Sequence, residues 1–428
     1  MTTPTLTEKL YWADPFANDF EARIVGVAGD DERFAIVLDR TLFYPEAGGQ
    51  LADAGTLVLE PAGSAGAPLV LRVHDVQIDG DGRIEHRLDP SACAVAGRAA
   101  LLGLTVRGTI DRARRRDHME QHTAQHMLSR ALSDIAKAET VSSRLGATDC
   151  TIDLDTPELR DVDVLRAEDL VNDVIRSDVT VRSRFPSAGE LAAMPLRRQP
   201  KVTENVRIID VDGFDLSPCG GTHCTRTGQI GLVKVTGTER YKGMTRLHFG
   251  AGGRALEESR KKERALAELA REFTCGPLDV AAAVAKLRGD LKSKADALAN
   301  ARGELVELVA REQLALAERA ARDGEAPFTV VFVERARDDV AALRALAGRL
   351  VARPDIVAVC AARDEDSGDV QLVVQRGASA AFDCGAWFKE ASRTYGGRGG
   401  GRPDRAEGRL PGAAPLQAMV AALRDAGR

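Results

Sequence analysis

At 428 residues the chain is too long for one ordinary hydrophobic core, and 44% hydrophobic with 29% charged residues excludes a disordered or fibrous protein. A formal net charge of −5 gives no bulk attraction to nucleic acid, and aromatics at 4% advertise no base-stacking platform, so any RNA contact must come from local basic patches. Seven thinly spread cysteines are no disulfide scaffold, residues 1–5 hold no basic or apolar leader, and no long uncharged run follows. A cytoplasmic protein without a membrane span is the expectation.

The first 110 residues alternate or carry β-branched runs at 22–27, 34–38, 56–59, 69–73 and 104–109, separated by turn residues. This predicts a small β-barrel over 1–110. The pattern changes at Asp111, where a basic run of Arg112, Arg114, Arg115 and Arg116 leads into helical spacing over 117–137, with Asp117 as the expected cap. A second helical stretch at 162–176 mixes with strand-like runs at 151–154, 206–211, 230–235 and 245–249, which predicts an α+β domain over 111–253.

From Ala255 the chain is rich in Ala, Leu, Glu, Lys and Arg, broken at Cys275-Gly276-Pro277. Beyond the break Val284, Leu291, Leu298 and Leu305 recur every seventh residue, with Leu287, Ala301 and Leu308 on the companion positions and Lys294 interrupting them. Residues 254–324 are expected to form a helical hairpin or coiled coil, and the imperfect seam leaves both a monomer and a homodimer open. After Gly324-Glu325-Ala326-Pro327 come strand runs at 328–333, 356–361 and 370–375, with a helix at 339–351. They predict a separate α/β unit over 325–428, whose tail holds a glycine-rich loop, 396–403, before a last helix near 415–424. The fold class is α+β overall.

Three of the seven histidines fall in His118-Met119-Glu120-Gln121-His122-Thr123-Ala124-Gln125-His126. Residues four apart on a helix stand one turn from each other, close enough for two imidazoles to share a metal ion, and the spacing serves 118/122 as well as 122/126. Far along the chain, Pro218-Cys219-Gly220-Gly221-Thr222-His223 offers a thiolate and an imidazole joined by two glycines that permit a tight turn. Three nitrogens and one sulfur, from His122, His126, Cys219 and His223, make a tetrahedral Zn2+ set. Cys224 reads as a core residue beside it. Cys93, Cys150, Cys275, Cys360 and Cys384 lack partner spacing and read as buried small apolar residues, and His74, His86 and His248 sit in strand-like runs outside the set.

The pairing of His122-Thr123-Ala124-Gln125-His126 with Cys219-Gly220-Gly221-Thr222-His223 resembles the editing domain of alanyl-tRNA synthetase and its freestanding relatives, the AlaX proteins. Phe43-Tyr44-Pro45-Glu46-Ala47-Gly48-Gly49-Gln50, followed by Asp53 and Gly55, resembles that family's N-terminal barrel signature. Glu139-Thr140-Val141, Cys150-Thr151-Ile152-Asp153-Leu154, Arg207 and Phe214-Asp215 continue the match, and 396–409 is similar to the glycine-rich loop of the C-terminal domain shared with DHH-type phosphoesterases. The order is that of the long AlaX form. An aminoacylation domain ahead of the barrel is expected to be absent, and Asp117-His118-Met119 is no DHH centre.

The resemblance implies a trans-editing hydrolase for mischarged tRNA(Ala), chiefly Ser-tRNA(Ala) with Gly-tRNA(Ala) as a second candidate, using Zn2+ to polarise the ester or to position a water. It implies that Thr41 reads the serine hydroxyl, that Gln50, His122 and His126 serve catalysis, and that Gly48, Gly49 and Thr222 shape the substrate pocket. Contact with tRNA(Ala) is expected from Arg112–Arg116, Arg197 and Arg198, and from the tail set Lys389, Arg393, Arg398, Arg402, Arg405 and Arg409. A competing reading is a tRNA-binding adaptor whose zinc is structural. A hydrolase for another ester would want a glutamate between the paired histidines, where Thr123, Ala124 and Gln125 stand.

Overall fold

The structure is a computed structural model that describes residues 6–29, 34–60, 67–89, 98–197, 199–200, 205–320, 327–336, 339–364 and 367–426. Cys93, Arg198 and the expected break at 324 lie outside the described residues. The chain divides into two compact units, Met1–Glu268 and Leu269–Arg428.

The first unit begins with a closed six-stranded antiparallel barrel: β1 (Asp19–Ala28), β2 (Ala35–Leu38), β3 (Gly55–Leu59), β4 (Leu69–Ile78), β5 (Ile84–Leu88) and β6 (Thr105–Ile110), ordered β1-β2-β5-β4-β3-β6. Alternate residues point inward, so Phe20, Ile24, Ile36, Leu57, Leu71, Val73 and Val106 fill the barrel. A side chain at Gly108 would lie 2.2 Å from the Phe20 ring, which explains the gap in the apolar pattern of β6. The sequence pattern shows five of the six strands. The sixth, β5, is read only as the strand-like run around His86, whose ring puts a polar group in an apolar register.

The barrel leads into α1 (Arg112–Ala136), 25 residues long and capped by Asp111, whose side chain accepts from Arg114 N. The helix thus starts before the apolar periodicity does. Asp117, the expected cap, lies inside it and pairs with Arg254. Met119, Ala124, Met127, Leu128, Ala131 and Leu132 of α1 pack with α2 (Asp161–Arg176) against a four-stranded sheet. That sheet comprises β7 (Thr140–Leu145), β8 (Cys150–Leu154), β12 (Val233–Tyr241) and β13 (Met244–Ala251) in the order β12-β13-β8-β7. A three-stranded antiparallel sheet, β9 (Val181–Arg184), β10 (Ile208–Val211) and β11 (Asp215–Pro218), completes this part.

Within the basic run at the head of α1, Arg115 is structural, which takes that residue out of the expected RNA patch. Arg115 is 2% exposed: Nε donates to Asp53, Nη1 to Pro15 O at 3.0 Å and Nη2 to Leu42 O. Arg114 Nε holds Ala52 O at 2.8 Å, and Arg116 pairs with Glu120. An arginine buried on a carboxylate cannot reach a phosphate.

In the second unit, α4 (Val280–Ala320) follows α3 (Gly252–Glu272), a helix whose course spans the division. A five-stranded sheet then carries helices on both faces. Its strands are β14 (Thr329–Ala336), β15 (Ile356–Arg363), β16 (Val370–Arg376), β17 (Arg398–Arg402) and β18 (Arg405–Leu410), ordered β14-β15-β16-β18-β17. One face packs α6 (Cys384–Tyr395) and α7 (Leu416–Ala426), and the other packs α5 (Val340–Leu350) and the end of α4 through Ala310 and Ala317. The expected glycine-rich loop is in fact the edge strand β17: Gly399 and Gly408 let the hairpin lie against Phe388, whose ring a Cβ at either would meet at 2.7 Å.

The heptad seam on α4 stands open within this chain, with Leu287, Leu291 and Leu298 each more than half exposed. Cys224, Cys150, Cys360 and Cys384 are buried as expected, while Cys275 is half-buried. His74 and His248 face outward to Asp89 and Asp149. No helix among the described residues is long and apolar enough to cross a membrane.

His86 makes the barrel sensitive to acid. Its Nδ1 donates to Ile36 O at 3.1 Å and its Nε2 accepts from Thr41 Oγ1 at 2.8 Å, while complete burial lowers its pKa to about 4. The neutral ring is stable above the ordinary value near 6.5; below it the unfolded chain binds a proton that the folded barrel refuses, and stability falls until pH approaches 4. Between pH 7.5 and 5.0 this one group is expected to remove about 2 kcal/mol. Urea unfolding at both pH values should show a loss smaller by about that amount in His86→Gln; equal losses in the two proteins would contradict the assignment.

Candidate metal centre

Helix α1 presents His122 and His126 on one face, and the loop after β11 brings Cys219 and His223 to meet them. One donor atom from each of the four lies within 4.8 Å of all the others. Cys219 Sγ stands 3.4 Å from His122 Nε2 and 3.3 Å from His223 Nε2. A tetrahedral ion at ordinary zinc bond lengths sets a sulfur-to-nitrogen edge of about 3.5 Å. The residues therefore fit a metal ion. Of the two histidine pairs that the spacing allows, the fold selects 122/126 and leaves His118 outside.

Burial keeps all three imidazoles neutral and able to donate a lone pair: His126 titrates at about 4, and desolvation holds His122 and His223 well below their ordinary value. Burial also pushes the Cys219 thiol up, against the pull of Gly221 N–H and the Arg207 charge. A bound cation reverses that preference by stabilising the thiolate.

Gln50 sets the orientation of the first ligand. Its Oε1 accepts from Thr222 N at 3.1 Å and from His122 Nδ1 at 2.7 Å, and its Nε2 donates to Thr222 Oγ1 at 2.8 Å. With the proton on Nδ1, His122 turns Nε2 toward the sulfur. Arg207 secures the loop, with Nη1 donating to Cys219 O at 3.1 Å and Gly221 O at 2.6 Å. Thr123 Oγ1 accepts from Cys224 N at 3.0 Å and pins its far end. Asp215 Oδ2 lies 3.8 Å from His126 Nδ1, a buried atom with no hydrogen bond among the described residues.

The glycine pair serves a different purpose from the expected turn. Neither Gly220 nor Gly221 has positive φ. A Cβ on Gly221 would instead lie 2.2 Å from His122 Cε1, so a bare backbone is what lets the loop close on the helix.

Three of the ligand residues, His122, His126 and Cys219, line a cavity of about 530 Å³ together with Trp12, Gly48, Gln125, Ser129, Thr140, Ser142, Ser143, Arg197 and Arg207. Gly48 is on its wall, while Gly49, at φ +86°, is packed against Ser143 O, which a Cβ there would meet at 2.7 Å. Gln50 and Thr222 are wholly buried behind the metal ligands. Thr41 is not brought to the cavity: it is fully buried in the barrel, where its hydroxyl donates to His86 and accepts from Phe43 N. Arg197 is on the wall, held by Asp215 at 3.2 Å. Arg398 and Arg402 belong to the second unit, exposed on edge strand β17. Sequence reasoning gave no role to Asp215, Trp12 or the hydroxyls of the wall, whose positions have no local pattern.

Residues 206–248 match the "Threonyl and Alanyl tRNA synthetase second additional domain", and residues 325–426 match the DHHA1 domain. Over 421 residues, 95% of this chain, it is 32% identical to the alanine–tRNA ligase of Natronomonas pharaonis, and over 432 residues it is 32% identical to that of Halorubrum lacusprofundi. This chain is a relative of the alanine–tRNA ligases. It spans 42% and 44% of the length of those two proteins. The resemblance carried by the metal-ligand and barrel motifs is thereby borne out. The C-Ala domain of Aquifex aeolicus alanyl-tRNA synthetase overlaps 24% of the chain at 22% identity with a TM-score of 0.22, too low to argue from.

Two neighbouring substitutions separate close approach from turn-making. Gly221→Ala is expected to weaken metal retention at least 10-fold, in the range of lost ligand support, whereas Gly220→Ala, whose Cβ would meet nothing within 4 Å, should keep the wild-type metal content. Metal analysis after gel filtration reads both, and equal retention in the two variants would refute the packing role.

Proposed function

We propose that this chain is a deacylase that hydrolyses the ester of mischarged tRNA(Ala), chiefly Ser-tRNA(Ala) and secondarily Gly-tRNA(Ala), with Zn2+ held by His122, His126, Cys219 and His223. The observation that carries the reading is the gathering of three nitrogen donors and one sulfur donor, three of the four residues standing at the wall of a cavity within the size range of small-ligand sites. The kinship with alanine–tRNA ligases supports tRNA(Ala) as the acyl carrier. When bound, Zn2+ supplies a Lewis acid for the ester carbonyl or a more acidic water.

The chain's own residues hold and choose the substrate. Gln50 keeps His122 in the ligating tautomer, and Arg207 keeps the Cys219 loop against α1. Alanine is smaller than serine, so size cannot protect the correct product and a hydroxyl-reading group is needed. We assign that task to the polar wall rather than to Thr41, whose hydroxyl is engaged by His86. There Gln125 Nε2 and Thr140 Oγ1 both donate to Ser129 Oγ, at 2.9 and 2.7 Å, and Ser142 and Ser143 lie beside them. An alanyl group has no hydroxyl for such groups to meet. Arg398 and Arg402 in the second unit are assigned to phosphates of the tRNA body.

The adaptor reading keeps one argument, that four protein ligands are the habit of structural zinc. Against it, three of the ligand residues face open space rather than a closed core.

Deacylation of matched Ser-, Gly- and Ala-tRNA(Ala), with metal content assayed on the same samples, decides between them. Serine release is expected to exceed alanine release by at least about 100-fold, and Cys219→Ala is expected to lose both metal and turnover. Full zinc occupancy with tRNA binding and no release of serine would establish the adaptor instead.

A further inference from the structure

We propose that Trp12 and Phe185 form an aromatic ledge at the metal-site cavity that stacks the terminal adenine of the acylated RNA. The assignment rests on the deacylase reading and names the nucleoside subsite of that same site.

Trp12 closes a short 3-10 turn, Leu10–Trp12, and its Nε1 donates to Gly220 O at 2.9 Å, one residue from the ligand Cys219. Its side chain lines the cavity. Phe185 follows β9 directly, in the sheet that delivers Cys219, and its ring lies 5.7 Å from that of Trp12 at 53°. Phe185 is 51% exposed. A single exposed phenylalanine is ordinary. Two aromatics in contact, one of them wired to the metal loop, are a prepared surface.

The charges around the pair select the occupant. Lys9 Nζ sits 4.4 Å from the Trp12 ring centroid and the Arg207 guanidinium 5.8 Å from it. Lys9 suits the phosphate that enters a 3′-terminal nucleoside, while Arg207 is engaged by the Cys219 and Gly221 carbonyls. Seryl and glycyl groups have no apolar face to offer, so the planar portion of the substrate is the base. Only the ribose separates that base from the ester to be cut. Base stacking on aromatic side chains is sequence-tolerant and needs few residues, which is how a chain with 4% aromatics can still possess a platform.

The zinc-loaded full chain is assayed with 3′-O-seryl-adenosine and with serine ethyl ester, which has no base. Phe185→Ala is expected to lower the ratio of kcat/KM for the nucleoside ester over the ethyl ester by roughly 5- to 150-fold, and Phe185→Tyr to restore it. An unchanged ratio in Phe185→Ala overturns the ledge. If the wild type cleaves neither ester, release of serine from Ser-tRNA(Ala) decides the deacylase reading separately and the ledge is tested by binding. Trp387→Phe leaves Trp12 as the one tryptophan of two, and AMP should then quench its emission saturably and more weakly when Phe185→Ala is added. Emission indifferent to AMP overturns the proposal.

Discussion

Arg115 and Asp53 form an ion pair buried on both sides, at 2% and 0% side-chain exposure, and the metal centre takes its register from that contact. Asp53 also accepts from Tyr44 N, at 2.7 Å, so the pair gathers the barrel segment that holds Tyr44 and Gln50 onto α1. Seven residues beyond Arg115, two turns along the same helix face, stands His122, where Gln50 arrives. Breaking such a pair on one side costs about 3–5 kcal/mol, because the charge left behind stays buried. The barrel thus supplies no metal ligand, yet it orients one.

That arrangement explains why the two halves of the ligand set could be read from the sequence while their support could not. The histidine spacing is a local consequence of helical periodicity, and the Cys219–His223 loop is local too. Gln50 touches both from a distance of 72 residues along the chain to His122 and 172 to Thr222. No periodicity encodes such a meeting. The same limit hid Trp12 and the approach of Asp215 to His126.

Other departures have equally physical origins. Apolar alternation reveals a barrel strand only when the inward residues are apolar, and His86 broke the rule in β5. Asp111 rather than Asp117 caps α1, because charged residues fill a first helical turn without contributing to an apolar stripe. The glycines of 396–403 suggested a loop, but beside Phe388 they make a flat edge strand on which a helix can rest. Thr41 lies on a strand residue away from the cavity, engaged in the polar pair that His86 requires inside the barrel.

The central claim is that His122, His126, Cys219 and His223 share one zinc ion in this fold. X-ray absorption at the zinc edge of the purified chain tests it most directly. The account predicts one equivalent of zinc with three nitrogen scatterers at about 2.0–2.1 Å and one sulfur at about 2.3 Å. A shell rich in oxygen, a shell with more than one sulfur, or a sulfur signal that survives Cys219→Ala would contradict it.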